Sequence, residues 1–432
     1  MVSCKFRAVK PRATSQTLAP LAAWAALIAG SFLWGWWLTS HGHDFRLGLP
    51  PLYGHFHPRF TVFSIPALLL AGAAIAYAER LARLSWRWLV VSSGVLAGAW
   101  GAALASVDGI RGLRVNNRLA SDFLTTVPKV HSPAKFLARF TRDLASFSDH
   151  VHGHPPGLVL IEWTMSRLGM GGARWDTALR LVAFGVAVAA VLVAVREVVG
   201  ENTARRVVPF LCFAPFAAQG LAITADCVFA ALEATAIALI VIATGRRGLR
   251  SDVLALLGGL FFGAALYSTY GAFVLGLIPL VVAIQRRRIR PLIVAAAGVL
   301  AVAGVFLAYG FWWVSGLQMT WKVIAEGARK YRIASYFIIG NLGAFATTLG
   351  PSVAVAIARL RDRKVWLLVG GALGAVVFAD VSQLSRAEVE RIWLPMAMWI
   401  CVASRSVADD RRWLAAHICF ALLVAFLIRA TW

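Results

Sequence analysis

The chain reads as an all-α fold, a polytopic bundle of transmembrane helices, and three observations say so. Hydrophobic residues make up 59% of the sequence and charged ones only 15%, with a mean hydropathy of +0.72, so the solvent for most of the surface is lipid. Apolar runs of roughly 17 to 23 residues, enough to cross about 30 Å of hydrocarbon, recur from end to end. Lipid admits only helices or closed barrels, and continuous runs do not fit the alternating pattern of a barrel.

In chain order, the runs fall near 21–39, 60–78, 87–106, 156–170, 177–197, 206–221, 224–244, 252–268, 271–285, 292–312, 337–359, 365–380, 391–405 and 412–430. The first has a basic front but no small-residue cleavage site, and Trp34, Trp36 and Trp37 form an interfacial belt, so it reads as an anchor. The 43 Lys and Arg against 20 Asp and Glu sit mainly in short loops: Lys5 to Arg12, Glu79 to Arg87, Arg246 to Arg250, Arg286 to Arg290 and Arg359 to Lys364. That is the positive-inside pattern, which accounts for the charge without nucleic acid and adds an attraction to anionic membrane lipids. The polar stretches 39–59, 107–155, 313–336 and 381–390 then face outward. Counting crossings from 107–155 to the Arg246 cluster leaves one crossing too many. The suspect is 156–170, which is short and carries Glu162 and Arg167; about 13 spans remain. Cys4, Cys212, Cys227, Cys401 and Cys419 show no metal spacing and read as small hydrophobes.

The outer loop 107–155 is the densest polar segment. Asp108-Gly109 sits where the span 87–106 ends, and Arg111, Arg114 and Arg118 follow. From Pro133 to Phe147, the residues Phe136, Leu137, Phe140, Leu144 and Phe147 recur at helical spacing with Lys135, Arg139 and Arg142 opposite, which predicts an interfacial helix. The loop closes on Asp149-His150-Val151-His152-Gly153-His154-Pro155-Pro156-Gly157, where the prolines stiffen the entry into the next helix.

An acid just after one span, a long outer loop with an interfacial helix, and His-Pro-Pro at the head of the next segment resemble the GT-C superfamily of membrane glycosyltransferases. Within it, the likeness is to the protein O-mannosyltransferase and aminoarabinose transferase branch. Val151 to Gly157 and Glu388-Val389-Glu390-Arg391-Ile392-Trp393-Leu394-Pro395 look most like actinobacterial integral membrane members. The resemblance implies a transferase module over 87–405, preceded by a two-span extension, 1–86, and followed by a C-terminal span, 406–432. It implies an inverting transfer of a mannose- or arabinofuranose-class sugar from a polyprenyl phosphate to a cell-envelope glycan or lipid acceptor, on the outer face of the plasma membrane. No cofactor is required, with a divalent cation as an option. The family's first acid falls on Asp108, its His-Pro-Pro on His154, Pro155 and Pro156, and its later outward Asp on Asp226. Here Gly109 stands where many relatives carry a second acid.

The chemistry asks for these residue types independently. A carboxylate that orients or deprotonates the acceptor hydroxyl contributes roughly 10²–10⁴-fold, and Asp108 is the expected base. Cations must meet the leaving phosphate as its charge grows; Lys322, Arg329, Lys330, Arg332 and Arg391 are the expected partners. His152 and His154 join Asp226 as substrate-binding residues, and Asp108, His154 and Asp226 should converge on one cavity.

Each reading has a plainer rival. His150, His152 and His154 are spaced by two, which suits hydrogen bonding at the loop closure better than zinc, and no metal ligands are assigned. His41, His43, His55 and His57 with Asp44 form a second outer cluster, where zinc binding competes with the commoner case of solvated loop histidines. Asp226 and Glu233 share a helix face, where a hydrogen bond to a neighbouring helix competes with function. The rival class is a transporter or flippase for lipid-linked sugars, but the sequence shows no paired halves with matching broken helices.

Overall fold

The protein is described by a computed structural model covering residues 15–114 and 122–430. Cys4, the Lys5 to Arg12 cluster, Arg118 and the side chain of Arg114 lie outside the described residues. Helix dominates. The one strand pairing among the described residues joins β1 (His55–Phe56) antiparallel to β2 (Ile428–Arg429), with His55 opposite Arg429.

The helices are α1 (Ser15–Ser40), α2 (Ile65–Ala82), α3 (Trp86–Ala105), α4 (Pro133–Asp143), α5 (Asp149–His152), α6 (Gly157–Arg167), α7 (Ala173–Val198), α8 (Glu201–Cys212), α9 (Asp226–Thr244) and α10 (Gly248–Leu266). They continue with α11 (Leu277–Gln285), α12 (Arg290–Ala308), α13 (Trp313–Glu326), α14 (Ala334–Leu349), α15 (Pro351–Arg359), α16 (Arg363–Val381), α17 (Val389–Ile392), α18 (Leu394–Ile400) and α19 (Arg411–Leu427). Among the described residues, eight helices are long and apolar enough to cross a membrane, or nine if α14 and α15, bent by 96° at Gly350-Pro351, count as one span.

Single long helices are fewer than the 13 or so expected spans because several of the expected runs are built from shorter pieces. Pro209 lies inside α8 and Pro215 opens the next 3-10 turn, so 206–221 is broken because proline removes an N–H and clashes one turn back. The segment at 271–285 begins as a 3-10 turn, Tyr270–Gly276, before the nine-residue α11. Residues 389–406 divide into α17, α18 and a further 3-10 turn, with Pro395 just after the first break.

α3, α7, α9, α10 and α12 pack side by side as a row. Gly94 and Gly185 let α3 and α7 touch backbone to backbone: a Cβ on Gly185 would sit 2.4 Å from the Gly94 carbonyl oxygen. Small residues are what such close approach requires in lipid. α1 leans on α14 and α15, while α16 packs on α11 and α18.

The bundle has two ends of different character. At the first, Arg205 donates to the Ala82 and Leu84 carbonyls, Arg246 pairs with Glu197, and Arg286 donates to the Glu197 carbonyl. This arginine end gathers the reversals near 84, 200, 246 and 287. At the opposite end, the Gly157 amide donates to Tyr267 at 2.7 Å, Thr177 to Leu113 at 2.9 Å, and Arg59 pairs with Asp108. The 11-residue α6 starts at this end, and α7 begins there too. Residues 156–170 therefore do not cross, which removes the surplus crossing and puts Arg246 opposite Asp226.

Helix α4 forms as its periodicity predicts, but its apolar face is covered by protein. Phe136, Leu137 and Phe140 are buried, Phe140 meets Phe311 edge-on at 5.4 Å, and α4 packs on α13.

Candidate functional site

The His-Pro-Pro turn is built by its own hydrogen bond. His154 Nδ1 lies 2.6 Å from the His150 carbonyl oxygen, so this nitrogen donates and Nε2 is left as an acceptor. The ring stacks on Phe229 at 5.1 Å and meets Phe123 edge-on at 5.2 Å. Burial is the larger influence on its pKa and lowers it to about 4, with Asp226 and the His150 bond opposing. The imidazole is neutral at physiological pH.

Asp226, 3% exposed, is the first residue of α9, where the helix dipole favours a carboxylate. Its Oδ2 lies 3.2 Å from Arg391 Nη1, and Arg391 Nη2 reaches Glu388 Oε2 at 2.7 Å. The other Glu388 oxygen takes Arg332 Nη2 at 2.6 Å. Two guanidinium groups thus share one carboxylate. Burial pushes the Glu388 carboxyl up, but Arg391 and Arg332 outweigh it and hold the group well below the usual carboxylate range. The backbone here is unusual: Ala387 and Glu388 have φ of 68° and 59°, a left-handed geometry that side chains other than glycine resist. It is strapped from several sides. Asn341 accepts from the Ala387 amide at 3.1 Å and donates to Ser385 and Asp380, while Arg332 and Arg386 exchange bonds to each other's carbonyls.

Glu390, with no exposed surface, accepts the Tyr53 amide at 2.9 Å, and burial raises its carboxyl to about 7. The Tyr53 hydroxyl is raised first by burial and then by Glu388, and Asp149 adds to the same field. The loop 45–59 and the turn at 149–154 therefore face the same group of charges.

A second charge centre lies alongside. Arg180, 1% exposed, holds Asp122 at 2.9 Å, Asp176 at 2.9 Å and Glu162 at 3.7 Å, and donates to the Ile223 carbonyl just ahead of α9. His150 approaches Asp122 at 3.9 Å. Burial pushes the Asp122 carboxyl up, but Arg180 and His150 bring it below its ordinary value; burial and Asp176 drive Glu162 well up. Asp122, Glu162 and Asp176 bring their oxygens within 4.8 Å of one another and are, among the described residues, the group with the spacing of a cation site. Arg180 supplies the compensating charge in this arrangement.

Of the residues singled out from sequence, the fold brings His154, Asp226, Arg332 and Arg391 together. Asp108 occupies the same end in a separate group: its ion pairs among the described residues are with Arg59 at 3.1 Å and Arg429 at 3.8 Å. One segment links the two groups, since Tyr53 bonds Glu390 and Arg59, six residues on, pairs with Asp108. His152 turns to Asp149 at 3.7 Å. Arg329 covers the Trp321 ring and Lys330 the Tyr331 ring, and Lys322 is exposed. His150 and His154 both lie against the Phe123 ring, at 6.0 and 5.2 Å. Glu388, Glu390, Asp122, Asp176 and Arg180 were not among the expected site residues. Arg180 had a signal in the sequence, a charge inside an apolar run.

No family model matches the chain, and no curated protein matches it. In three dimensions it is similar to an oligosaccharyltransferase of Archaeoglobus fulgidus solved in complex with zinc and sulfate. The TM-score is 0.41 and the sequence identity 13%, over 78% of this chain and 53% of that one. The chain spans about half the length of that protein.

Proposed function

We propose that this protein is a membrane glycosyltransferase of GT-C type. It moves a sugar of the mannose or arabinofuranose class from a polyprenyl phosphate to an envelope glycan or lipid acceptor, with the Asp226 end outside the plasma membrane. The observation that carries the reading is the pair Arg391 and Arg332, brought to one carboxylate beside the neutral His154 and the head of α9. Burying Arg391 and half-burying Arg332 at the end of an apolar bundle is costly unless they are paired, and a phosphate is a ligand for which Glu388 is a stand-in.

In this reading, Arg391 and Arg332 turn from Glu388 to the donor phosphate and stabilise the charge that grows as the glycosidic bond breaks. The acceptor hydroxyl oxygen attacks the anomeric carbon from the opposite face, inverting it, and the polyprenyl phosphate departs with the bonding electrons. Asp108, set by Arg59 and Arg429, takes the hydroxyl proton. The bare Nε2 of His154 accepts a hydrogen bond from a sugar hydroxyl. Arginine supplies the positive charge, so no metal is required.

The test is reconstitution of the purified protein in liposomes with a radiolabelled polyprenyl-phosphate sugar and an acceptor glycan. Label should appear on the acceptor. Label that changes leaflet without transfer would instead establish a flippase.

A further inference from the structure

The arginine end carries a cleft that the transferase reading does not use. It has a volume of about 870 Å³ and is lined by Trp86, Arg196, Glu197, Arg246, Arg250 and the apolar side chains of α10 led by Leu249. That size lies within the range of roughly 300–1,000 Å³ typical of small-ligand sites. We propose that it binds an anionic phospholipid, the phosphate resting on Arg250 and Arg246 and an acyl chain running along the trough between α3 and α10.

Three features of the cleft define the ligand. The first is charge: three arginines meet one glutamate on its walls. Arg196 pairs with Glu201 at 2.8 Å and covers the Trp86 ring at 4.4 Å, and Arg246 pairs with Glu197 at 3.1 Å. Arg250 makes no ion pair or hydrogen bond among the described residues. It also sits in the first turn of α10, a turn with no acidic residue and no side-chain cap, so the helix dipole adds to an uncompensated positive potential.

The second is the apolar continuation. α3, α7, α9 and α10 lie in a row, so the outer helices make walls above a floor of α7 and α9. Val193 and Ile242 belong to that floor. α10 presents the exposed apolar side chains Leu249, Val253 and Leu257, and Trp86 of α3 lines the facing side. A water-soluble phosphate has no use for such a surface, whereas a lipid tail does.

The third is depth. The arginines stand where four spans end, at headgroup level, and basic pockets between spans on the positive side of a membrane protein suit anionic headgroups. A zwitterionic lipid would bring its own cation to a rim that already has an excess of them.

The full chain in a neutral detergent tests this by native mass spectrometry and thermal unfolding, with phosphatidylglycerol, cardiolipin, phosphatidylcholine and glycerol 3-phosphate as probes. Phosphatidylglycerol or cardiolipin should remain bound and raise the unfolding midpoint, while phosphatidylcholine and glycerol 3-phosphate do neither. Arg250→Gln should weaken the retained lipid about tenfold, the loss of one charged hydrogen-bond donor. Arg250→Lys should weaken it less, and Arg363→Gln, which removes an exposed charge from the same end outside the cleft, less than about twofold. Equal retention of phosphatidylcholine, protection by glycerol 3-phosphate alone, or equal effects of Arg250→Gln and Arg363→Gln would overturn the proposal. The wild-type probe series decides it even where a variant does not fold. Transfer activity is not read, so the outcome does not depend on the proposed reaction.

Discussion

The two ends of the bundle use the same residue types in opposite ways. At the arginine end, Arg250, Arg361, Arg363 and Lys364 are exposed, and the cations that are paired remain partly in solvent, as with Arg246 and Arg196. At the Asp226 end, Arg180 and Arg391 are buried at 1% and 6% exposure and each is shared between carboxylates. Solvated charges cost little and carry little energy each; their value lies in orientation and lipid attraction. Buried charges need several partners placed by segments far apart in the chain. The difference teaches where function sits: a fold keeps charges buried when removing them loses more than stability.

The largest effect that would sharpen this contrast is Asp108→Asn. It should lower transfer by roughly 10²–10⁴-fold while the protein remains inserted and folded, because the amide keeps the shape and loses the base. Transfer near the wild-type rate would move the base to Asp122 or Asp149. Next comes Arg180→Met, which leaves three buried carboxylates without their cation. It should cost about 3–5 kcal/mol of stability, read by unfolding in detergent, and a loss below about 1 kcal/mol would make the centre no more than a surface pair.

Glu390 gives a pH signature of intermediate size. Its folded carboxyl sits at about 7, above an ordinary value near 4.3, so the folded state holds the proton more tightly. The stability this contributes is fully present below about 4.3, falls as pH rises and is gone above about 7. Glu390→Gln, neutral throughout, should remove that slope and be more stable than wild type at pH 8. Parallel curves for the two proteins from pH 5 to 8 would show that Glu390 does not titrate there. The smallest effect belongs to the arginine end, where Arg363→Gln should change stability by no more than about 0.5 kcal/mol.

Much of this was legible in the residues. Apolar runs gave the helices, loop arginines gave a common end for the basic clusters, and the shortness of 156–170 told that it does not cross. Asp226 stood out as an acid in an apolar segment, and Arg391 as a cation at the lip of another. The Arg180 centre was harder, because Asp122, Glu162 and Asp176 come from a loop and two helices whose approach depends on the packing of the whole bundle. Glu388 was hidden for a different reason. Its role rests on a left-handed backbone stabilised by Asn341 and Arg386, which no pattern of side-chain types announces. The breaks in 206–221 and 337–359 were marked by Pro209, Pro215 and Gly350-Pro351, but apolar content outweighed them.

The central claim is that buried arginine acts on the leaving phosphate, and Arg391→Lys tests it most directly. Lysine keeps the charge and loses the two-pronged grip. In liposomes holding labelled polyprenyl-phosphate sugar and acceptor, turnover should fall about 100-fold, with donor affinity changed less than about tenfold. Turnover at the wild-type rate, or an affinity loss that accounts for the whole decline, would contradict it.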